Sequence, residues 1–223
     1  MGCELGQTGK KSRVLVVDDH PLVCYAVAQL LSDTIDLFCC GEAGCGVSAR
    51  AAVKQLLPTL VLLDLTLGED DPFGLIREWK ADGTGMKVLA LSRHDHAVYA
   101  ERSLRCGADG FVTKTEPPPV VMQAIRAVLA GERFVSGKLA GQVLKRLNGG
   151  RNPSGTQGLE CLSARESEVF HLLGAGRNNK EIAQFLQLSP KTVDVYRDNL
   201  KRKLNLPDTA SLVRHAALWS ERH

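Results

Sequence analysis

Two short apolar runs, Val14-Leu15-Val16-Val17 and Val61-Leu62-Leu63, end abruptly in carboxylates: Asp18-Asp19 after the first and Asp64 after the second. A run of this length with no polar interruption reads as a strand buried on both faces, and such strands belong to parallel sheets flanked by helices. In that architecture ligands collect beyond the carboxyl ends of the strands. The two runs therefore bring three carboxylates to one sheet edge. Three clustered anions are unfavourable unless a cation stands among them, and an all-oxygen set of this kind suits Mg²⁺.

The pattern continues along the chain. After the first strand, His20-Pro21 opens a helix in which Leu22, Val23, Val27, Leu30 and Leu31 recur at helical spacing, with Pro in the first turn where it is tolerated. A weaker strand over 36–42 precedes an Ala-rich helix that Pro58 terminates. Beyond Asp64 come a helix over 73–82, a fourth strand over 86–91 closing on Ser92, a helix over 97–105, a fifth strand at Phe111-Val112 ending at Thr113-Lys114, and a helix over 117–130. Five alternations predict an α/β domain with a doubly wound five-stranded parallel sheet of flavodoxin-like type over residues 12–131.

From 132 to 158 the periodicity fades, and Asn148-Gly149-Gly150 through Pro153-Ser154-Gly155 is turn chemistry, the mark of a linker around a possible short helix at 139–147. Order returns over 159–223. Ser163 and Glu166 make a capping box, Asn178 or Asn179 caps a second helix carrying Ile182, Ala183 and Leu186, and Ser189-Pro190 opens a third. Only Gln187-Leu188-Ser189 separates the second helix from the third, which is a helix-turn-helix; a fourth helix from Asp208 or Thr209 completes a small all-α unit.

At 223 residues, two modest domains are the expected division. No apolar stretch approaches the roughly 18 residues that span a bilayer, and residues 1–12 carry no signal-peptide core, so a cytoplasmic protein without membrane contact is expected. Seven cysteines without paired CxxC spacing predict reduced, mostly buried thiols. The net charge of +3 lies entirely in the C-terminal part: residues 161–223 hold ten Lys/Arg against seven Asp/Glu, and 177–203 hold seven against three. That is a modest basic patch of the kind that meets phosphate backbones, or else a solvated face.

Asp18-Asp19, Asp64, Ser92 and Lys114, each at the end of a strand, together resemble the acidic pair, phospho-acceptor, switch hydroxyl and lysine of a response-regulator receiver domain. Residues 162–216, with Asn179-Lys180-Glu181-Ile182-Ala183 and Lys191-Thr192-Val193, resemble a LuxR-type helix-turn-helix. Both together resemble the NarL/FixJ family of two-component response regulators. The resemblance implies that Asp64 takes a phosphoryl group from a sensor histidine kinase, with Mg²⁺ on Asp18, Asp19, Asp64 and the backbone carbonyl of Thr66. It implies that Lys114 supplies positive charge to the phosphoryl oxygens, that Ser92 hydrogen-bonds the new phosphate, and that Phe111 is the aromatic that reports the switch. It implies a homodimer when phosphorylated, paired through the last helix on double-stranded promoter DNA with two-fold related half-sites.

In the third C-terminal helix, Val193, Tyr196, Leu200 and Leu204 make the stripe expected to be buried. Lys191, Val195, Asp198 and Arg202 lie opposite with Asp194 beside them, and that face would enter the major groove. Lys180, Lys191, Thr192 and Lys201 are candidates for phosphate contacts; Val195 suits a thymine methyl, and Asp194 or Asp198 a cytosine amino group. One stretch departs from the family pattern: the loop after Asp64 is long and adds Glu69, Asp70 and Asp71, which either tune metal affinity and phosphoryl lifetime or form a solvated charge run. Two other functions stay in view, a DNA-binding regulator indifferent to phosphate and an aspartyl-phosphate phosphatase. The second needs a carboxylate two residues past the nucleophile, where Thr66 stands.

Overall fold

The computed structural model describes residues 11–68, 70–93, 97–137, 139–141, 143 and 162–221. The chain divides into two compact units, Met1–Leu147 and Asn148–His223.

The first unit is a parallel sheet of β1 (Ser12–Val17), β2 (Leu37–Ala43), β3 (Leu60–Asp64), β4 (Lys87–Ser92), β5 (Gly110–Thr113) and β6 (Phe134–Val135), in the order β2-β1-β3-β4-β5-β6. Its helices are α1 (Pro21–Ser32), α2 (Gly46–Leu56), α3 (Pro72–Ala81), α4 (Ala97–Arg105) and α5 (Pro118–Leu129). Val14, Val16, Leu60, Leu62, Leu89, Leu91 and Val112 form one sheet face, closed by Cys24, Val27 and Leu31 of α1 and Ala124, Ile125 and Val128 of α5. Alternate residues such as Leu15, Val17, Leu63, Ala90 and Phe111 are equally buried on the other face, toward α2, α3 and α4. Burial on both sides is what continuous apolar strands require. All five residues of β3 are buried, so its terminal Asp64 is delivered by a segment with no freedom to shift.

Helix ends follow local chemistry. Pro occupies the first turn of α1, α3 and α5. Leu57 ends α2 in the left-handed region at φ 44, immediately ahead of Pro58, whose ring disfavours a helical conformation in the residue before it.

Two expectations are corrected here. The sheet has six strands rather than five: Phe134–Val135 pairs with Gly110 and Phe111 inside the stretch read as linker. Two residues are too few for any periodicity, and the partner is made possible by Gly110, where a Cβ would stand 2.9 Å from Leu89, Val128 and the Phe134 carbonyl. Of the five described cysteines, all free, Cys24 alone is buried; Cys39 and Cys40 are half-exposed because β2 is an edge strand, and Cys45 is exposed.

The second unit packs α6 (Ala164–Gly174), α7 (Asn179–Leu186), α8 (Pro190–Lys203) and α9 (Thr209–Glu221) around Leu162, Val169, Phe170, Leu173, Ile182, Val193, Leu200, Leu212 and Trp219. The Ser163–Glu166 capping box forms, Asn178 caps α7 and makes a second box with Glu181, and Ser189 caps α8 through the Thr192 amide. Gln187, at φ 56, turns the chain between α7 and α8. The expected buried stripe of α8 is narrower than its spacing suggests: Val193 and Leu200 are fully buried, Tyr196 and Leu204 half-buried, since a small three-sided core covers only part of a 14-residue helix.

Candidate functional site

The carboxyl ends of β1, β3, β4 and β5 converge as the apolar runs require. Asp18 and Asp64 are buried, with side chains fully shielded from solvent. Lys114, one residue past β5, sets its ammonium 2.5 Å from Asp18 Oδ2 and 2.9 Å from Asp64 Oδ2. Its backbone N–H donates to the Ser92 carbonyl at 2.7 Å, so β4 and β5 hold the lysine in register. Ser92 is itself buried and pairs with Thr113 across the sheet, with Ala90 and the wholly buried Phe111 two residues earlier on the same face.

Three contacts in this pocket escape a reading of the sequence. The Thr66 hydroxyl donates to Asp64, 2.8 Å from Oδ1 and 2.9 Å from Oδ2, while the Thr66 N–H donates to Oδ1 at 3.0 Å. A threonine two residues past a carboxylate forms such a turn readily, which is the signal that was there to find. His20, read as a helix opener, stands with Nδ1 2.5 Å from Asp19 Oδ1 and 3.2 Å from Asp18 Oδ1, and its Nε2 meets the Arg93 guanidinium. Cys24, on α1, donates to the Asp18 carbonyl at 3.5 Å, and burial together with the Asp18 charge pushes its thiol up to about 11.

Ligand atoms of Asp18, Asp19, His20 and Asp64 lie within 4.8 Å of one another. Asp18 Oδ2 and Asp19 Oδ1 are buried and meet the Lys114 ammonium and the His20 ring, each at 2.5 Å. Buried carboxylates this close together are costly, and a divalent cation among Asp18, Asp19 and Asp64 would offset their repulsion. The carboxylate oxygens of Asp18, Asp19 and Asp64 suit Mg²⁺, which prefers hard oxygen donors over the His20 nitrogen; the Thr66 carbonyl, expected beside them, accepts from the Gly68 N–H at 2.9 Å.

The long loop after β3 is tied down. Gly68 N–H donates to Asp19 Oδ2 at 3.3 Å, Asp70 Oδ2 accepts from the Gly46 N–H at 2.7 Å, and Asp71 pairs with Arg77 at 3.3 Å. The expectation of a solvated charge run therefore does not describe Asp70; Glu69 lies outside the described residues.

In the second unit, Lys180, Lys191, Asp194, Val195, Asp198 and Arg202 are exposed, and Thr192 and Lys201 half-exposed. Val195 keeps 55% of its surface exposed on this face. Several of the polar side chains are already engaged. Lys201 pairs with Asp198 at 2.9 Å, Arg202 donates to Asn199 at 2.9 Å, and the Thr192 hydroxyl lies 2.8 Å from that of Ser189. Asn179, at the start of α7, donates to Asp194 and accepts from Arg197, bridging the two helices of the turn; neither Asn179 nor Arg197 stood among the candidates.

Residues 14–126 match the response regulator receiver domain, and residues 160–216 the luxR family of bacterial regulatory proteins. A putative transcriptional regulator of Pseudomonas aeruginosa is 37% identical over 203 residues, covering 91% of this chain and 95% of its own. The transcriptional activator protein ExaE of Pseudomonas putida is 35% identical over 205 residues, covering 92% and 95%. A solved two-component response regulator of the LuxR family from Aurantimonas superposes with a TM-score of 0.58 at 28% identity, over 62% of this chain and 99% of that one.

Proposed function

The chain belongs to the NarL/FixJ family of two-component response regulators, transcriptional regulators that join a receiver to a LuxR-type DNA-binding domain, and from that premise we propose that phosphorylation of Asp64 controls its grip on DNA. The observation that carries the proposal is the placement of Lys114 against both Asp18 and Asp64, with Ser92 bonded into the same strand pair.

Asp64 Oδ attacks the phosphorus of a phosphohistidine on a sensor histidine kinase. A P–O bond forms, the P–N bond breaks, and the imidazole nitrogen leaves with the electron pair and takes up a proton. Asp18, Asp19, Asp64 and the Thr66 carbonyl would hold Mg²⁺, whose charge would offset the repulsion between the carboxylate and the incoming anion. Lys114 follows the added charge: its ammonium already touches the oxygen that becomes phosphorylated or its twin. Thr66 holds the carboxylate in one orientation, so that attack starts from an ordered nucleophile. The Ser92 hydroxyl turns to the new phosphoryl oxygens, and Phe111, on the same sheet face, follows it. Water attack on the acylphosphate, with Asp64 regenerated, makes the state transient.

Phosphorylation then favours a homodimer that places two copies of α8 on two-fold related half-sites in the major groove of promoter DNA, with α9 as the contact between copies. Lys180, Lys191, Thr192 and Lys201 position α8 on the phosphates; Val195, Asp194, Asp198 and Arg202 face the bases. The working division is a receiver over 12–131, a linker over 132–158 and a DNA-binding domain from 159, with β6 and the buried Leu139 and Val143 counted with the receiver's compact unit. No helix among the described residues is long and apolar enough to cross a membrane, and we place the protein in the cytoplasm with its kinase and promoter.

The test is to incubate the protein with acetyl phosphate and Mg²⁺ and to run a DNA selection in parallel with Asp64→Asn. The expected result is an acid-stable, base-labile adduct on Asp64 and tighter, two-fold symmetric DNA binding in the wild type alone. Equal binding by Asp64→Asn would leave a DNA-binding regulator indifferent to phosphate.

A further inference from the structure

Asp70 reaches 24 positions back along the chain to the first turn of α2, where its Oδ2 accepts from the Gly46 N–H at 2.7 Å. That N–H is one of the unpaired donors at a helix start, at the positive end of the helix dipole, so a carboxylate is favoured there. The approach depends on glycine: a Cβ on Gly46 would stand 2.6 Å from Asp70 Oδ1. Gly46 and Asp70 thus fit only each other's present shape.

What this contact holds is the loop between β3 and α3. Leu67 is buried beneath it and fixes its depth. Gly68 is exposed, and its N–H donates both to the Thr66 carbonyl at 2.9 Å and to Asp19 Oδ2 at 3.3 Å. The Asp70 N–H closes back on the Leu67 carbonyl at 3.0 Å. Nearby, Arg50 of α2 pairs with Glu78 of α3 at 2.8 Å. Gly68 therefore sits between a buried anchor, Leu67, and the Asp70 hook, and its amide joins the Thr66 carbonyl to Asp19 of the carboxylate cluster.

We infer that Asp70, through its hydrogen bond to Gly46, is a positioning residue for Mg²⁺: it fixes the loop that presents the Thr66 carbonyl and orients Asp19. The inference rests on the acceptor-pocket reading of Asp18, Asp19 and Asp64. The added carboxylate acts by geometry and not by its field, since its charge is committed to the α2 terminus. Groups that orient metal ligands without touching the metal commonly govern affinity by tenfold or more.

The experiment is calorimetric titration of Mg²⁺ into the unphosphorylated full chain, with wild type, Asp70→Ala, Asp70→Asn and Gly46→Ala, at low and high salt, each variant first checked for a cooperative thermal transition. Asp70→Ala and Gly46→Ala are expected to weaken Mg²⁺ by about tenfold, Asp70→Asn by less because it keeps an acceptor oxygen, and the losses persist at high salt. Wild-type affinity in Asp70→Ala overturns the inference. So does a loss in Asp70→Ala that high salt abolishes, which would mark a screened field effect. Should Gly46→Ala fail to fold, the Asp70 pair and the salt dependence still decide. A wild type that binds no Mg²⁺ overturns the acceptor reading itself, and this inference with it.

Discussion

Lys114 Nζ lies 2.9 Å from Asp64 Oδ2, so the carboxylate read as nucleophile is already neutralised by a cation from the neighbouring strand end. The same ammonium is 2.5 Å from Asp18 Oδ2. One lysine thus serves two buried carboxylates, and it competes for them with any metal.

Replacing Lys114 by Ala tests that competition. In metal-free buffer the variant strands two buried anions and is expected to lose about 3 kcal/mol of stability. With the competing cation gone, Mg²⁺ should bind more tightly than in wild type, and the rise in melting temperature on adding Mg²⁺ should be larger. Thermal unfolding with and without Mg²⁺ reads both effects; a variant that Mg²⁺ stabilises less than wild type would show that Lys114 assists the metal site instead.

The strand-end residues of this pocket were legible because apolar runs fix where strands stop, and a residue after such a run has one place to go. Asp18, Asp64, Ser92 and Lys114 all follow that rule. His20 did not reveal itself, because its proximity to Asp19 depends on how α1 leaves the sheet. The Asp70 to Gly46 contact joins a loop to the first turn of α2 across 24 residues and leaves no trace in periodicity. β6 is two residues long, shorter than any pattern that alternation can declare. In the second unit the capping residues announced every boundary they control, whereas the Asn179 bridge needs the turn between α7 and α8 to exist first.

Lys191 and Val195 separate positioning from reading on α8. Lys191→Ala should weaken specific and non-specific duplexes alike and reduce the slope of log affinity against log salt by about 0.9. Val195→Ala should leave that slope unchanged and relax base preference at one position of the selected site, at a cost of roughly 1 kcal/mol. Fluorescence anisotropy against the selected site and a scrambled duplex, across a salt series, distinguishes the two; a shared salt dependence would remove Val195 from the reading face.

Asn179 holds Asp194 and Arg197 together across the turn. Asn178 caps α7, so Asn179→Ala should leave the helix intact and cost about 1 kcal/mol. Released from Asn179, Asp194 is free to face phosphates as an unpaired anion. The expected outcome is a lower ratio of specific to non-specific affinity with α-helical circular dichroism unchanged. An unaltered ratio would mean that the bridge serves folding alone.

Asp109 offers a pH test away from the pocket. Burial opposes its charge, yet hydrogen bonds and charge from Lys80, the Val88 N–H at 2.9 Å and Lys87 at 3.3 Å prevail and hold its carboxyl below the ordinary 3.8. A carboxylate whose folded pKa lies below its unfolded one binds fewer protons folded than unfolded. Its stabilisation is therefore complete above the unfolded value near 3.8 and is lost as pH falls through the lower folded value. Lys80 also donates to the Met86 carbonyl at 2.8 Å, so the cluster ties α3 to the start of β4 and the turn before β5. Asp109→Asn should lower receiver stability by about 2 kcal/mol at neutral pH, with the gap to wild type closing as pH falls below 3.8. Urea denaturation from neutral pH to the acid limb measures the gap; a difference that stays constant through the acid range would assign the loss to packing rather than to charge.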